Sequence, residues 1–119
     1  MIINHIKKRV DDDKIRLSAN IKWENADREN QTIFFETDKK FKEYIFEKPD
    51  SFLTAATIPA LIEGEERVRV DEACPVLIEG LMTAAQIIKK WYKISNNIKI
   101  QAKKMLLMNL LKNEELLVF

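Results

Sequence analysis

Strict alternation of apolar and polar residues across the segment Lys14–Trp23 constrains the fold of this chain more than any other feature. Every second residue there is apolar: Ile15, Leu17, Ala19, Ile21 and Trp23. Because successive side chains of a strand point to opposite faces of a sheet, this pattern predicts a β-strand with one buried and one hydrated face. The preceding segment Ile2–Val10 contains scattered β-branched residues, and Asp11–Lys14 forms a polar turn. Together the two segments predict an antiparallel N-terminal hairpin.

Three short segments farther along also have the composition of strands. "TIFFET", Thr32–Thr37, is rich in β-forming residues and follows a polar loop. "ERVRVDE", Glu66–Glu72, alternates with its valines inward and its charged residues outward. "IKIQA", Ile98–Ala102, follows a Ser-Asn-Asn turn. With the hairpin these segments predict five strands, and the closing apolar run Leu116–Phe119 predicts a sixth.

Helical patterns occupy the intervals between the later strands. A short helix capped by Thr37 and ended by Lys48–Pro49 is predicted to place three side chains on one face: Phe41, Tyr44 and Ile45. The segment Ser51–Gly64, capped by Asp50 or Ser51, reads as a second helix that Pro59 should kink or split, because proline lacks an amide donor. Gly64 is suited to the left-handed residue that stops a helix.

The longest helix is predicted to begin with Pro75 after Cys74 and to run to about Lys93. Its inward residues recur at spacings of three and four: Leu77, Leu81, Ala84, Ala85, Ile88, Trp91 and Tyr92. Helical propensity predicts a last helix over Lys103–Asn113. The order of elements predicts one α+β domain over residues 1–119, in which a mixed or antiparallel sheet of about five or six strands packs against three to four helices.

The composition excludes several kinds of site. Lysine and arginine number 20 against 19 acids, so the net charge of +1 gives no long-range attraction for nucleic acid or anionic lipid, although it leaves local basic patches open. The only two glycines, Gly64 and Gly80, exclude a glycine-rich phosphate loop within these 119 residues. The single cysteine, Cys74, excludes an internal disulfide and a cysteine zinc site. With no signal peptide and no apolar run of about 20 residues, we expect a cytoplasmic protein without membrane contact.

Individual reactive residues lack the partners that catalysis or metal binding needs. His5 is the only histidine, and Asp11–Asp13 has neither the spacing nor the glycine of a calcium loop. Cys74 stands at a helix start, a common place for a nucleophilic cysteine, but no base lies near it in sequence. The adjacent acids Glu65–Glu66 and Glu114–Glu115 read as solvated ends. We therefore assign no catalytic, cofactor-binding or metal-binding residue in this chain.

Two lysine-rich stretches contain aromatic residues and could suit base stacking: "KKFKEYIFEK", Lys39–Lys48, and "KKWYK", Lys89–Lys93. Both also fit ordinary amphipathic helices, and the net charge is flat, so we do not expect a nucleic-acid partner. Trp91 and Tyr92 have two interpretations, either core packing, which we favour, or an interface anchor, since amphipathic aromatic residues dominate binding hot spots.

The segment Asp50–Tyr92 resembles the N-terminal region of bacterial proteins related to 7-cyano-7-deazaguanine synthase, which belong to the PP-loop ATP pyrophosphatase superfamily. The resemblance covers about a third of the chain, and the residues that carry it are of core type: Phe52-Leu53, Ile58-Pro59-Ala60, Gly64-Glu65, Val68-Arg69-Val70, Pro75, Leu77 and Trp91. Cys74 departs from the pattern, which has a serine cap at this position.

The resemblance implies a non-catalytic accessory domain. In such relatives an apolar strand, which Leu116–Phe119 resembles, runs into a Ser-Gly-Gly-x-Asp-Ser loop that binds ATP, and this chain contains no such loop. ATP would then be bound only by a catalytic core outside these residues, and the domain would pack on that core, shape its substrate side or recruit a partner. Some relatives act in bacterial anti-phage systems, so the resemblance also implies defence as a setting.

The alternative interpretation is a free-standing interaction module, either a homo-oligomer or a subunit of a complex. In this module the Met105–Leu111 helix and Leu116–Phe119 would be buried against another chain. Both interpretations require a protein partner or catalytic core and bury Leu116–Phe119. The candidate interface residues are therefore Trp91, Tyr92, Leu116, Leu117, Val118 and Phe119.

Overall fold

The computed structural model describes residues 1–105, which form a five-stranded mixed β-sheet with helices on one face. The strands are β1 (Ile2–Asp11), β2 (Lys14–Lys22), β3 (Gln31–Asp38), β4 (Arg67–Ala73) and β5 (Lys99–Met105). The helices are α1 (Asp50–Ile62), α2 (Pro75–Tyr92) and the 3-10 helix Lys39–Tyr44. This arrangement confirms the predicted α+β class, the N-terminal hairpin and the mixed sheet.

The sheet has the strand order β3-β2-β1-β4-β5, so the first strand of the chain is the central one. β1 pairs with β2, and β2 with β3, in antiparallel orientation. β4 and β5 continue the sheet on the other side of β1 in parallel orientation. The parallel pairing requires crossover connections, and α1 and α2 supply them.

The hydrophobic core lies between the sheet and the two α-helices. Alternate residues of the strands face it, as the period of two in Lys14–Trp23 predicts. Phe52 of α1 is completely buried, and its ring centroid lies 5.2 Å from that of Phe35 on β3. From α2, Leu81 and Ala85 are buried against the same core.

Helix boundaries follow local chemistry and correct two predictions. Asp38, not Thr37, caps the 3-10 helix, because its carboxylate accepts a hydrogen bond from the Lys40 amide at 3.0 Å. α1 is one helix from Asp50 to Ile62 with Pro59 inside it, so the predicted split is wrong, and the Glu63 amide donates to the Pro59 carbonyl at 3.0 Å in the last turn. The helix ends before Gly64, whose φ of +84° is the predicted left-handed stop.

The predicted helix over Lys103–Asn113 is wrong at its start. Lys103–Met105 belong to β5, and Lys104 lies opposite Glu72 in the parallel ladder with β4. Pairing with a neighbouring strand thus outweighs the helical propensity of these residues. The predictions for residues 106–113, for Glu114–Glu115 and for Leu116–Phe119 fall outside the described residues.

We expect Phe52→Ala to lower the free energy of unfolding by about 3–5 kcal/mol, because the truncation leaves a cavity beneath Phe35. Urea denaturation measures the change. The matched control is Ile62→Ala at an exposed position of the same helix, which should shift stability by no more than about 0.5 kcal/mol. Equal losses in the two variants would contradict this location of the core.

Candidate functional site

A cluster of charges joins the start of β1 to the loops that flank β2 and β4. The α-ammonium group of Met1 lies 2.5 Å from a Glu65 carboxylate oxygen and 3.1 Å from one of Glu24. It also donates a hydrogen bond to the Arg67 carbonyl at 2.8 Å. The Met1 and Glu65 side chains are buried, so water competes little with these contacts.

Glu65 also organises the loop that follows β2. Its carboxylate accepts hydrogen bonds from the backbone amides of Glu24, Asn25 and Ala26 at 2.8, 2.6 and 2.7 Å. Burial alone would raise the pKa of Glu65, but the ammonium of Met1 and these three amides outweigh it and lower the pKa from 4.5 to about 2. The prediction that Glu65 is solvated is therefore wrong, whereas Glu66 is exposed as expected.

We expect Glu65→Gln to lower the free energy of unfolding by about 3 kcal/mol near neutral pH, because it removes the charge that the ammonium and the amides stabilise. Thermal or urea denaturation measures the loss. Glu63→Gln is the matched control: it breaks the exposed pair with Arg28 and should cost less than about 1 kcal/mol.

The low pKa of Glu65 also predicts an acid-sensitive stability. The folded value of about 2 lies below the ordinary 4.5, so the contribution of this carboxylate is complete above pH 4.5 and is lost as the pH falls towards 2. The free energy of unfolding should decline more steeply over this window in the unmodified chain than in Glu65→Gln. If the free energy of unfolding fell equally with pH in both proteins, the Glu65 carboxylate would not be the cause of the acid sensitivity.

The reactive residues considered from the sequence do not come together. His5 is exposed at a bulge in β1, with φ of +54°, between Asn4 and Lys7. Cys74 is half-buried at the N-cap of α2, and its amide donates to Asp50 at 3.4 Å. Within residues 1–105, no group of three histidine, cysteine or acidic residues is arranged to hold a metal ion.

An apolar stripe runs along the exposed flank of α2, and we call it the α2 stripe: Val76, Gly80, Thr83, Ile87 and Trp91. Spacings of three and four residues keep these positions on one side of the helix. Val76 is 64% exposed, Ile87 43% and Trp91 70%. Gly80 and Thr83 lie between them, and a Cβ built on Gly80 meets no atom within 4 Å. The stripe thus has large apolar ends and a shallow middle that another backbone can approach.

Trp91 and Tyr92 are not core residues. Both are about 70% exposed, so the prediction that they pack inward is wrong, and they remain interface candidates at the C-terminal end of α2. The helix carries them beyond the part of the core that Leu81 and Ala85 fill. The sequence indicates this exposure through a second apolar row on α2, which includes Val76 and Ile87 in addition to the inward row.

A second apolar area surrounds the 3-10 helix. Phe41 and Tyr44 share one side of it, because residues three apart are aligned in a 3-10 helix, and both are exposed. A depression of about 270 Å³ next to it is lined by Ile15, Leu17, Phe35, Glu36, Thr37, Ile45 and Ser51. α1 and α2 leave this edge of the sheet partly uncovered.

The sheet face opposite the helices, which we call the open face, is polar. Among the described residues no helix packs on it, since the buried residues of the strands all belong to the other face. Across β4, β5 and the adjoining parts of β1 and β2 lie six cations, Lys7, Lys22, Arg67, Arg69, Lys99 and Lys103, with the acids Glu24, Glu66 and Asp71 beside them. Towards the hairpin turn three cations and three acids balance: Arg9, Lys14 and Arg16, with Asp11, Glu36 and Asp38. The alternation in Glu66–Glu72 predicts that Arg67 and Arg69 point outward. It does not predict that these arginines lie next to Lys99.

Comparison of the chain with models of protein families, with curated proteins and with solved structures finds no match. Neither of the α-helices in residues 1–105 has the length and apolar character needed to cross a membrane.

Proposed function

We propose that this chain is a non-catalytic interaction domain and that the α2 stripe is its docking surface. The observation that carries the proposal is the exposure of Val76, Ile87 and Trp91 in one row on a helix whose other side is anchored in the core. Large aromatic residues on a rigid element supply most of the binding energy at protein interfaces. Covering this row would remove apolar surface from water without rearranging the fold.

The shape of the stripe favours a helix of the partner as the docked element. Gly80 and Thr83 form a low middle section between Val76 and the pair Ile87 and Trp91. Small residues at this position permit close packing of two helices, in which side chains of one fill the grooves of the other. The flanking Glu79 and Lys90 are exposed and would form a polar rim.

The sequence resemblance suggests which protein provides that helix. We propose that it belongs to a PP-loop ATPase-like core related to 7-cyano-7-deazaguanine synthase, encoded after or beside this chain, and that ATP binds there. The resembling segment Asp50–Tyr92 spans α1, β4 and the whole of α2, which includes the stripe. The same relationship motivates our proposal of a role in anti-phage defence, and we also propose the cytoplasmic setting expected from the sequence.

We expect the double variant Ile87→Ala/Trp91→Ala to weaken binding to such a core by about thirtyfold or more, which corresponds to about 2 kcal/mol, while the melting temperature changes little. Isothermal titration calorimetry with the purified PP-loop protein measures the affinity. Ile62→Ala, an exposed apolar residue on α1, is the control and should bind normally. Unchanged affinity of the double variant would refute the assignment of the stripe.

A homo-oligomer is the alternative, and light scattering separates the two. The proposal predicts that the chain alone is a monomer. A dimer that Ile87→Ala/Trp91→Ala dissociates would instead show that the stripe binds a second copy of the chain. If no protein with a Ser-Gly-Gly-x-Asp-Ser loop is encoded beyond or beside this chain, the PP-loop partner is refuted.

A further inference from the structure

Cations on the open face are brought together by the register of β4 and β5. Arg67 lies directly opposite Lys99 in the parallel ladder, and Arg69 lies opposite Gln101. Like charges in direct register oppose each other, so this pairing costs stability unless an anion offsets it. Glu24 offsets it in part, with oxygens 3.4 Å from Arg67 and 3.5 Å from Arg69. Lys103 pairs with Asp71 at 3.4 Å, whereas Lys99 has no ion pair among the described residues.

Two depressions lie along this part of the open face. One of about 260 Å³ is lined by Asn4, Arg69, Asp71, Gln101 and Lys103, together with Ile2 and neighbouring core residues. Another of about 310 Å³ is lined by Glu66, Arg67, Asn97, Lys99 and Gln101. Gln101 borders both. Residues on one face of a strand repeat every ~6.6 Å, so Lys99, Gln101 and Lys103 place a cation, an amide and a cation in a regular line.

The side chains around these depressions can contact bases as well as phosphates. Asn4 and Asn20 are cross-strand neighbours, and their amides face each other 3.4 Å apart. Farther along the face the Arg16 guanidinium lies 4.0 Å from the centroid of the Phe34 ring, which is 52% exposed. Amides bond to base edges, and bases stack on aromatic rings and guanidinium planes.

We propose that the open face binds single-stranded nucleic acid, with phosphates along Lys22, Arg67, Arg69, Lys99 and Lys103 and bases over Asn4, Asn20 and Gln101. A flat sheet suits an extended strand, whereas sequence readers of duplex DNA insert a helix or ribbon into a groove. Within residues 1–105 this face carries no row of large apolar residues that could insert into a membrane. The site lies on the side of the sheet away from the α2 stripe, so it is independent of the proposed protein docking.

The test is fluorescence anisotropy of the full chain with labelled oligo-dT and oligo-U of about 12 nucleotides, over a range of salt. The variant Lys22→Glu/Lys99→Glu should weaken binding at least about tenfold and flatten the salt dependence. Lys40→Glu/Lys90→Glu is the matched control, because it makes the same charge change at exposed lysines of the 3-10 helix and α2. This control and Trp91→Ala should bind as the unmodified chain does.

Each contrary result overturns the proposal in a different way. If the chain binds neither oligonucleotide at low salt, the proposed site is refuted. If the two double-lysine variants lose the same affinity, the effect is one of overall charge and not of this face. A duplex of the same sequence that binds as tightly as the single strand refutes single-strand recognition. Stronger binding of poly-glutamate, or of phosphatidylglycerol vesicles, would assign the face to an acidic protein or to a membrane.

Discussion

The buried carboxylate of Glu65 holds the corner where three strands meet. It binds the ammonium of Met1 at the start of β1, accepts the amides of Glu24 to Ala26 after β2, and stands just before β4. The Arg67 carbonyl accepts from the Met1 ammonium, and the Arg69 amide donates to the Met1 carbonyl at 2.8 Å, so the parallel pairing of β1 and β4 begins at this corner. Because β1 pairs with β4 only near this corner, at Ile2 and Arg69, the junction between the two halves of the sheet depends on this charged group.

The helices of residues 1–105 lie on one side of the sheet, which gives the described part of the chain two surfaces of different chemistry. The helix side carries the apolar α2 stripe, whose ends at Val76 and Trp91 suit a protein partner. The open face gathers cations on β4 and β5, where Arg67 and Lys99 lie side by side. A net charge of +1 does not reveal this surface, where cations outnumber the acids Glu24, Glu66 and Asp71 that lie beside them. Composition therefore excludes long-range steering by the whole chain but not a local cationic surface.

The sequence predicts the elements that have a clear period and misses what depends on neighbours distant in the chain. Alternation in Lys14–Trp23 locates β2 and its buried face, and Pro75 and Gly64 mark helix ends correctly. The burial of Glu65 is not predictable, because its partners lie at the first residue and in the loop that follows β2. Trp91 fits the inward spacing of Leu81 and Ile88 and equally the row of Val76 and Ile87, and the structure places it in that exposed row. Periodicity alone does not decide between the two rows, because the choice depends on which side of the helix contacts the sheet.

The central position of β1 has a consequence for synthesis on the ribosome. β1, β2 and β3 form an antiparallel meander from the first 38 residues, with local pairing that closes quickly. The other edge of β1 pairs with β4 at Arg69, so this edge stays unpaired until α1 and half of β4 have emerged from the ribosome. During that interval the nascent chain exposes an unpaired edge of β1, the strand that will lie at the centre of the sheet. Another chain could pair with this edge, so the timely synthesis of β4 protects against wrong pairing.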